Sequence, residues 1–265
     1  MNKKTIQSIF LGIVLLLMYL PILILAVYSF MDSAIIGKSG SFTGKNYVYL
    51  FHSEDLRAMI FGTLILALVV AVISTILGTL GAIGAFYSSK KLKRPIHLMN
   101  QIPVVNADVV TGFSICVLLI VFFKMDKASY VPLVIGLVSL CSPFVYLSVI
   151  PRLKQMDPQL YEAALDLGCS PFGALRKVVL PQLTSGIVSG FMMSITLTLD
   201  DYFITTYTKP SMFDTISTYV VNATKGAQTD VKTALWALST IIFLIVIFVV
   251  IGMNHTGRKE NDHEI

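Results

Sequence analysis

The chain has 265 residues, of which 55% are hydrophobic and only 13% charged, with a formal net charge of +5. An ordinary soluble domain carries about 25% charged residues, so this composition excludes a soluble globular domain and defines an integral membrane protein. The positive balance is no sign of a nucleic-acid partner, because the basic residues are spread along the ends of apolar runs, where they act as topology signals.

A hydrocarbon core of roughly 30 Å needs about 20 apolar residues in a helix. Runs of that length fall at 9–30, 60–87, 95–123, 130–150, 183–207 and 234–253. They predict an all-α membrane protein with six transmembrane helices in a single domain over residues 1–265. The first run follows Lys3 and Lys4 and so resembles a secretory signal. Its apolar core is too long for one and no small-residue cleavage pattern follows, which predicts a retained helix. With the N-terminus inside, 12 of the 20 basic residues fall in inner segments and 8 in outer ones, and the cluster KKLKR at 90–94 strengthens that asymmetry. Both termini are therefore expected on the cytoplasmic side of a cell membrane.

In the third run the stretch PVVNAD, from Pro103 to Asp108, sets a proline, an amide and a carboxylate near the middle of the span. Proline and polar residues interrupt helices, and interrupted helices at that depth commonly frame transporter binding sites. Asn106 and Asp108 are accordingly candidate site residues. The three cysteines offer less: Cys116 and Cys141 fall in spans and Cys169 in the 151–182 loop, without the spacing of a disulfide framework or a metal cluster. They read as small polarizable packing residues.

The inner loop 151–182 reads DPQLYEAALDLGCSPFGALRKVVLP in its central part. Asp157 caps a helix, Pro158 suits its first turn and Gly168 suits the left-handed residue that ends it. Ser170 and Pro171 repeat the capped start, and the second short helix runs to Pro181. Two short helices joined at Gly168 are predicted. Ala163 and Ala164 offer little side chain, which lets another protein approach closely, while Glu162 offers a directional acceptor. An amphipathic hairpin resting on the membrane surface is the other reading of the same residues.

The fifth run holds SITLTLDDYFITTYT, in which Asp200 and Asp201 interrupt lipid-compatible sequence. On one continuous helix Ser194, Thr198, Asp201, Thr205 and Thr208 share a stripe, with spacings of 4, 3, 4 and 3. Asp200 lies about 100° further round. Asp201 is then expected to be the more important aspartate for a passing cation, with the hydroxyls of Thr198 and Thr205 beside it. Tyr202 and Tyr207 supply either ring faces for an ammonium group or interfacial belt contacts.

Asp108, Asp200 and Asp201 are three acids in spans that contain no Lys or Arg. On an insertion scale each costs about 2.5–3.5 kcal/mol at mid-helix, together on the order of 8–10 kcal/mol. Water in a cavity, a basic residue on another subunit, protonation or a cationic substrate are the available compensations. All three aspartates also have a purely structural reading, Asp108 as a cap of a broken helix and Asp200 as a brace to a neighbouring span, with Asp201 the one on the continuous polar stripe.

The connections leave no room for a catalytic domain, and no GxxxxGK[ST] stretch occurs, so the chain is read as a non-enzyme. If ATP drives transport, another chain hydrolyses it. The alternative class is a proton- or sodium-coupled secondary transporter, or a cation channel, relaying charge along the aspartates.

The loop decides between these classes by resemblance. Glu162-Ala163-Ala164, three residues, Gly168, nine residues, Val178, one residue and Leu180-Pro181 resembles the EAA loop of ABC importer permeases, with Val178 in place of the usual isoleucine. The stretches SITLTLDDYFITTYTKP, TYVVNATKGAQTDVKTALWALST and PVVNAD are similar to PotC-type permeases of spermidine/putrescine importers. The resemblance implies a type I importer permease of the MetI-like fold in a bacterial inner membrane, forming half of a polyamine pathway. It implies ATPase coupling through Glu162, Ala163, Ala164, Asp166, Gly168, Leu180 and Pro181, docked as a helix in a groove. The implied partners are a second homologous permease, a cytoplasmic ABC ATPase dimer that binds ATP and Mg, an extracellular substrate-binding protein and membrane lipids. No cofactor or metal is implied for this chain itself.

Overall fold

The computed structural model describes residues 3–32, 40–157, 159–225, 233–244 and 247. All of its regular elements are helical, apart from one isolated antiparallel bridge between Met31 and Phe42. The chain divides into two compact units, one formed by residues 1–58 with 220–265 and the other by residues 59–219.

In the first unit, α1 (Lys3–Tyr28) includes a 22-residue apolar stretch with mean hydropathy 2.9, ample to cross a bilayer. The chain then turns under α2 (Lys45–His52). Buried Asn46 holds the turn, donating to the carbonyls of Ser29 at 2.8 Å and Met31 at 2.9 Å. Thr233–Leu244 is a shorter apolar helix, α13, and Trp236 on it meets Tyr28 edge to face at 5.9 Å.

The second unit is built around α6 (Val131–Gln155), which is 61% buried along its apolar window. Against it lies α3 (Glu54–Tyr87), whose 34 residues extend about 51 Å and so overreach a 30 Å hydrocarbon layer. In lipid, apolar helices gain little from merely hiding from their solvent, and close packing through small residues takes over. Gly78 does this on α3: a Cβ there would come within 2.6 Å of Val145 Cβ. On α10 (Thr184–Asp200) a Cβ at Gly190 would meet Val145 Cα at 3.1 Å and one at Gly186 the Ser148 carbonyl at 3.0 Å. Two apolar clusters result. One gathers Leu66, Val70, Leu137, Cys141 and Ile204, the other Ala82, Val149, Leu153, Met156, Val179 and Leu183.

The expected spans at 9–30, 60–87 and 130–150 coincide with long apolar helices. The third span is interrupted where Pro103 and Asn106 predict it: α4 (Lys90–Val105) and the pair α5 (Asp108–Cys116) plus a π-helical stretch Val117–Phe122 are bent by 106° at Asn106 and Ala107. Another expectation needs correction. The fifth span breaks at Asp201 and Tyr202, separating α10 from α11 (Phe203–Thr208), so the continuous helix assumed for the hydroxyl stripe does not exist. Among the described residues three helices are long and apolar enough to span, or five if two bent pairs are each counted as one: the pair meeting at Asn106 and Ala107, and Pro171–Gln182 with Thr184–Asp200, bent by 71° at Leu183. The sixth expected span, 234–253, is described through residue 244 and at 247; its other positions lie outside the described residues, as do both extreme termini.

Candidate functional site

Two helix breaks meet. Gly112 lies one turn beyond Asp108 on α5, and a Cβ there would sit 3.1 Å from the Ile204 backbone nitrogen, so α5 runs hard against the first turn of α11. Cys116 donates to the Tyr207 carbonyl at 3.4 Å, and Phe113 meets the Tyr207 ring edge to face at 5.9 Å. Asp108 opens α5 one turn before this contact, and Asp201 ends α10 just ahead of α11, so both aspartates stand at helix ends flanking the approach of α5 to α11.

The break at Asp201 is an exchange of hydrogen-bond partners. In an uninterrupted helix the Thr205 N–H would donate to the Asp201 carbonyl. Here Asp201 has extended backbone (φ −64°, ψ 122°), and its carboxylate Oδ2 accepts both the Thr205 N–H and the Thr205 hydroxyl at 2.8 Å. The carbonyl set free accepts from the hydroxyl of Ser217 on α12 (Ile216–Lys225). The next anchor along α12 is its Ile216 N–H, which donates to Thr63 Oγ1 of α3 at 3.1 Å. Asp201 is 9% exposed and Thr205 fully buried, so this carboxylate is turned into the fold and, from the position before the N-cap residue Tyr202, satisfies the first turn of α11.

The hydroxyls expected beside it also face inward. Thr198 and Thr208 donate to their own helix's carbonyls at Ser194 and Ile204, 2.8 and 2.6 Å away, which lets them pack against neighbours without an orphaned donor. Thr198 additionally meets the buried thiol of Cys141 at 3.6 Å. Tyr202 and Tyr207 are half-buried.

Asp200, Asp108 and Asn106 lie at the surface instead. Asp200 is the last residue of α10, at the negative end of a helix dipole, and has no hydrogen bond or ion pair among the described residues. Asp108 is in the first turn of α5, where the dipole favours an anion. Asn106 ends α4 and donates to Thr111 Oγ1 at 3.0 Å. The three carboxylates thus have three environments: one internally capped, one at a favourable helix start, and one exposed and uncompensated.

The residues expected to couple to an ATPase lie in the loop between α6 and α10. Helix α7 (Gln159–Asp166) closes with Gly168 at φ +85°, where the Gly168 and Cys169 N–H groups bond back to Leu165 and Ala164. The Ser170 hydroxyl then accepts from Gly173 to start α8 (Pro171–Ala174). A π-helical stretch, Leu175–Val179, leads into α9 (Leu180–Gln182). Glu162, Ala163, Asp166, Gly168, Leu180 and Pro181 are exposed, while Ala164 is packed inward, so only one of the two alanines lies at the surface. Buried Val179 and Leu183 fasten the loop to the end of α6. Pro158 lies outside the described residues. Two residues missed by the sequence reading stand on either side of the glycine turn: Leu167, 87% exposed, and Phe172, 75% exposed. Their signal was an apolar side chain at each flank of a turn that needs none.

These features define a multi-pass helical component of a membrane transport system, with aspartates at paired helix breaks and a short two-helix loop turned at Gly168. Residues 77–256 match the family described as "Binding-protein-dependent transport system inner membrane component", and the chain belongs to that family. It is a bacterial inner-membrane protein of that class, which sets aside the secondary-transporter and channel alternative. The chain is 28% identical over 245 residues to the spermidine/putrescine transport system permease protein PotC of Escherichia coli (strain K12), covering 92% of this chain and 90% of that one. It is 27% identical over 261 residues to the PotC of Haemophilus influenzae, covering 98% and 100%. To the putrescine transport system permease protein PotI of Escherichia coli (strain K12) it is 28% identical, covering 91% and 88%. In fold it resembles a chain of a bacterial ABC transporter that imports alginate, with TM-score 0.71, 17% identity and 95% coverage of both chains. It also resembles a chain of an amino acid ABC transporter, with TM-score 0.51, 18% identity and coverage of 78% and 94%.

Proposed function

We propose that this chain is the permease subunit of an ATP-driven polyamine importer, forming half of the pathway for a spermidine- or putrescine-like cation. The observation that supports this reading is the close approach of α5 to α11 at the two helix breaks, one beginning at Asp108 and the other following Asp200 and Asp201, in apolar runs without a single Lys or Arg. A flexible multivalent cation is the substrate that offsets such a concentration of negative charge. The names of the PotC and PotI relatives support the same substrate class.

Within the site, Asp200 is the residue that meets the substrate, with Asp108 and Asn106 across from it, while Asp201 holds the break open through Thr205 and Ser217. This reverses the weight that helical periodicity gave to the two adjacent aspartates. Tyr202 and Tyr207 bound the site on the α11 side. The exposed face of the loop, from Glu162 to Gly168 with Leu180 and Pro181, receives a separate ATPase that binds ATP and Mg. A second permease completes the pathway and an extracellular binding protein delivers the cation.

The test is uptake of labelled spermidine and putrescine by the assembled transporter carrying Asp200→Asn, at matched membrane levels. Losing a charge-assisted contact of about 1.5–3 kcal/mol lowers transport efficiency roughly 10- to 150-fold if the contact forms at the barrier. Parental uptake by Asp200→Asn refutes the assignment.

A further inference from the structure

We infer that the second unit carries a binding site for an anionic phospholipid at the end of the bundle that bears α7 and α8. Between the start of α4 and the end of α6 is a cleft of about 270 Å³ lined by Lys93, Arg94, His97, Tyr146, Ile150 and Lys154. Three of these six side chains are permanently cationic and none is acidic. Like charges brought together in one concavity repel unless an anion joins them, and among the described residues neither Arg94 nor Lys154 has a carboxylate partner.

The cleft is built. The Lys93 ammonium is fixed over the Phe86 ring, 4.6 Å from its centroid, and donates to the Phe86 carbonyl at 3.4 Å. His97 is steadied by Gln101 at 3.3 Å and lies against the Tyr146 ring, with centroids 6.1 Å apart. Tyr146 and Ile150 belong to the buried cluster that also holds Met156, Val179 and Leu183, so the cleft and the docking loop share one foundation.

The cleft's surroundings select a lipid phosphate over a soluble one. On α4, Arg94, Leu98, Ile102 and Val105 recur at helical spacing along one stripe. Leu98 is 55% exposed, Ile102 63% and Val105 85%. A ligand with a phosphate in the basic cleft therefore has an uncovered apolar strip leading away from it, and an amphiphile satisfies both ends at once. Basic pockets of this kind between helices at the cytoplasmic side favour anionic headgroups, by about 1 kcal/mol per Lys or Arg near the surface.

The experiment reconstitutes the full-length chain in nanodiscs of equal phosphatidylglycerol and phosphatidylcholine and counts retained lipids by native mass spectrometry. The parent retains phosphatidylglycerol preferentially. Arg94→Gln with Lys154→Gln lowers that preference on the order of 10- to 30-fold. Arg94→Lys with Lys154→Arg keeps it, which separates loss of charge from misfolding. Equal preference in the parent and the Gln pair overturns the site. Displacement of the lipid by excess inorganic phosphate overturns the lipid as the source of the anion. Unchanged lipid retention with lost ATPase co-purification in the Gln pair also overturns it, and assigns the cleft to a protein interface.

Discussion

Replacing Asp201 with alanine removes the single oxygen that accepts both the N–H and the hydroxyl of Thr205, each at 2.8 Å. Thr205 is fully buried, so no water reaches the stranded donors. A buried donor left unsatisfied costs about 1–3 kcal/mol. The hydroxyl is free to rotate toward another acceptor, whereas the N–H is fixed by the backbone. The net expectation is a loss of about 1–3 kcal/mol, essentially that of the N–H. Asp201→Asn keeps an acceptor in place. It exchanges a charge-assisted bond of about 1.5–3 kcal/mol for a neutral one of about 0.5–1.5, a loss of about 1 kcal/mol. Thermal unfolding of the purified full-length chain, read beside polyamine uptake at matched membrane levels, checks both values. The ordering parent, Asn, Ala in stability is the expected result, with uptake by the Asn variant close to the parent's. Unaltered melting in both variants together with abolished uptake refutes the capping role and returns Asp201 to direct contact with the substrate.

Gly168→Val forces a β-branched residue to φ +85°. That strain of about 1–3 kcal/mol falls on the loop proposed to receive the ATPase, so ATPase co-purification is expected to drop while membrane insertion is unchanged, as a pull-down and a membrane-fraction blot will show. Leu167→Ser with Phe172→Ser removes the two exposed apolar side chains beside that turn; buried apolar anchors carry much of an interface's energy, about 2 kcal/mol or more each. Their joint loss should weaken ATPase association at least tenfold in a titration, and an unchanged affinity would place the contact elsewhere on the loop. Gly190→Leu drives a side chain into the backbone of α6, where even a Cβ sits 3.1 Å from Val145 Cα. Overpacking of this kind costs about 1–3 kcal/mol, so a lowered melting temperature is expected, and a melt equal to the parent's would show that α10 and α6 separate freely.

The sequence by itself determined the solvent and the class. Apolar run lengths leave no alternative to helices in a bilayer, since unpaired backbone groups are too costly there. The loop's caps are also local: Gly168, Ser170 and Pro171 act within a few residues of themselves, and the turn forms where they specify it. The interruption near Asp108 was legible for the same reason, because Pro103 and Asn106 act on their own helix. The fate of Asp201 was not. Periodicity assumes an unbroken helix, and the break depends on Ser217, 16 residues onward, which takes over the carbonyl that Thr205 gives up. Only the fold brings that hydroxyl there, and with it the reversal that buries Asp201 and leaves Asp200 uncovered. The basic residues of KKLKR likewise read as a topology signal along the chain. Their convergence with Lys154 exists only once α4 and α6 have packed, because charge density is a property of space and the sequence orders residues along a line.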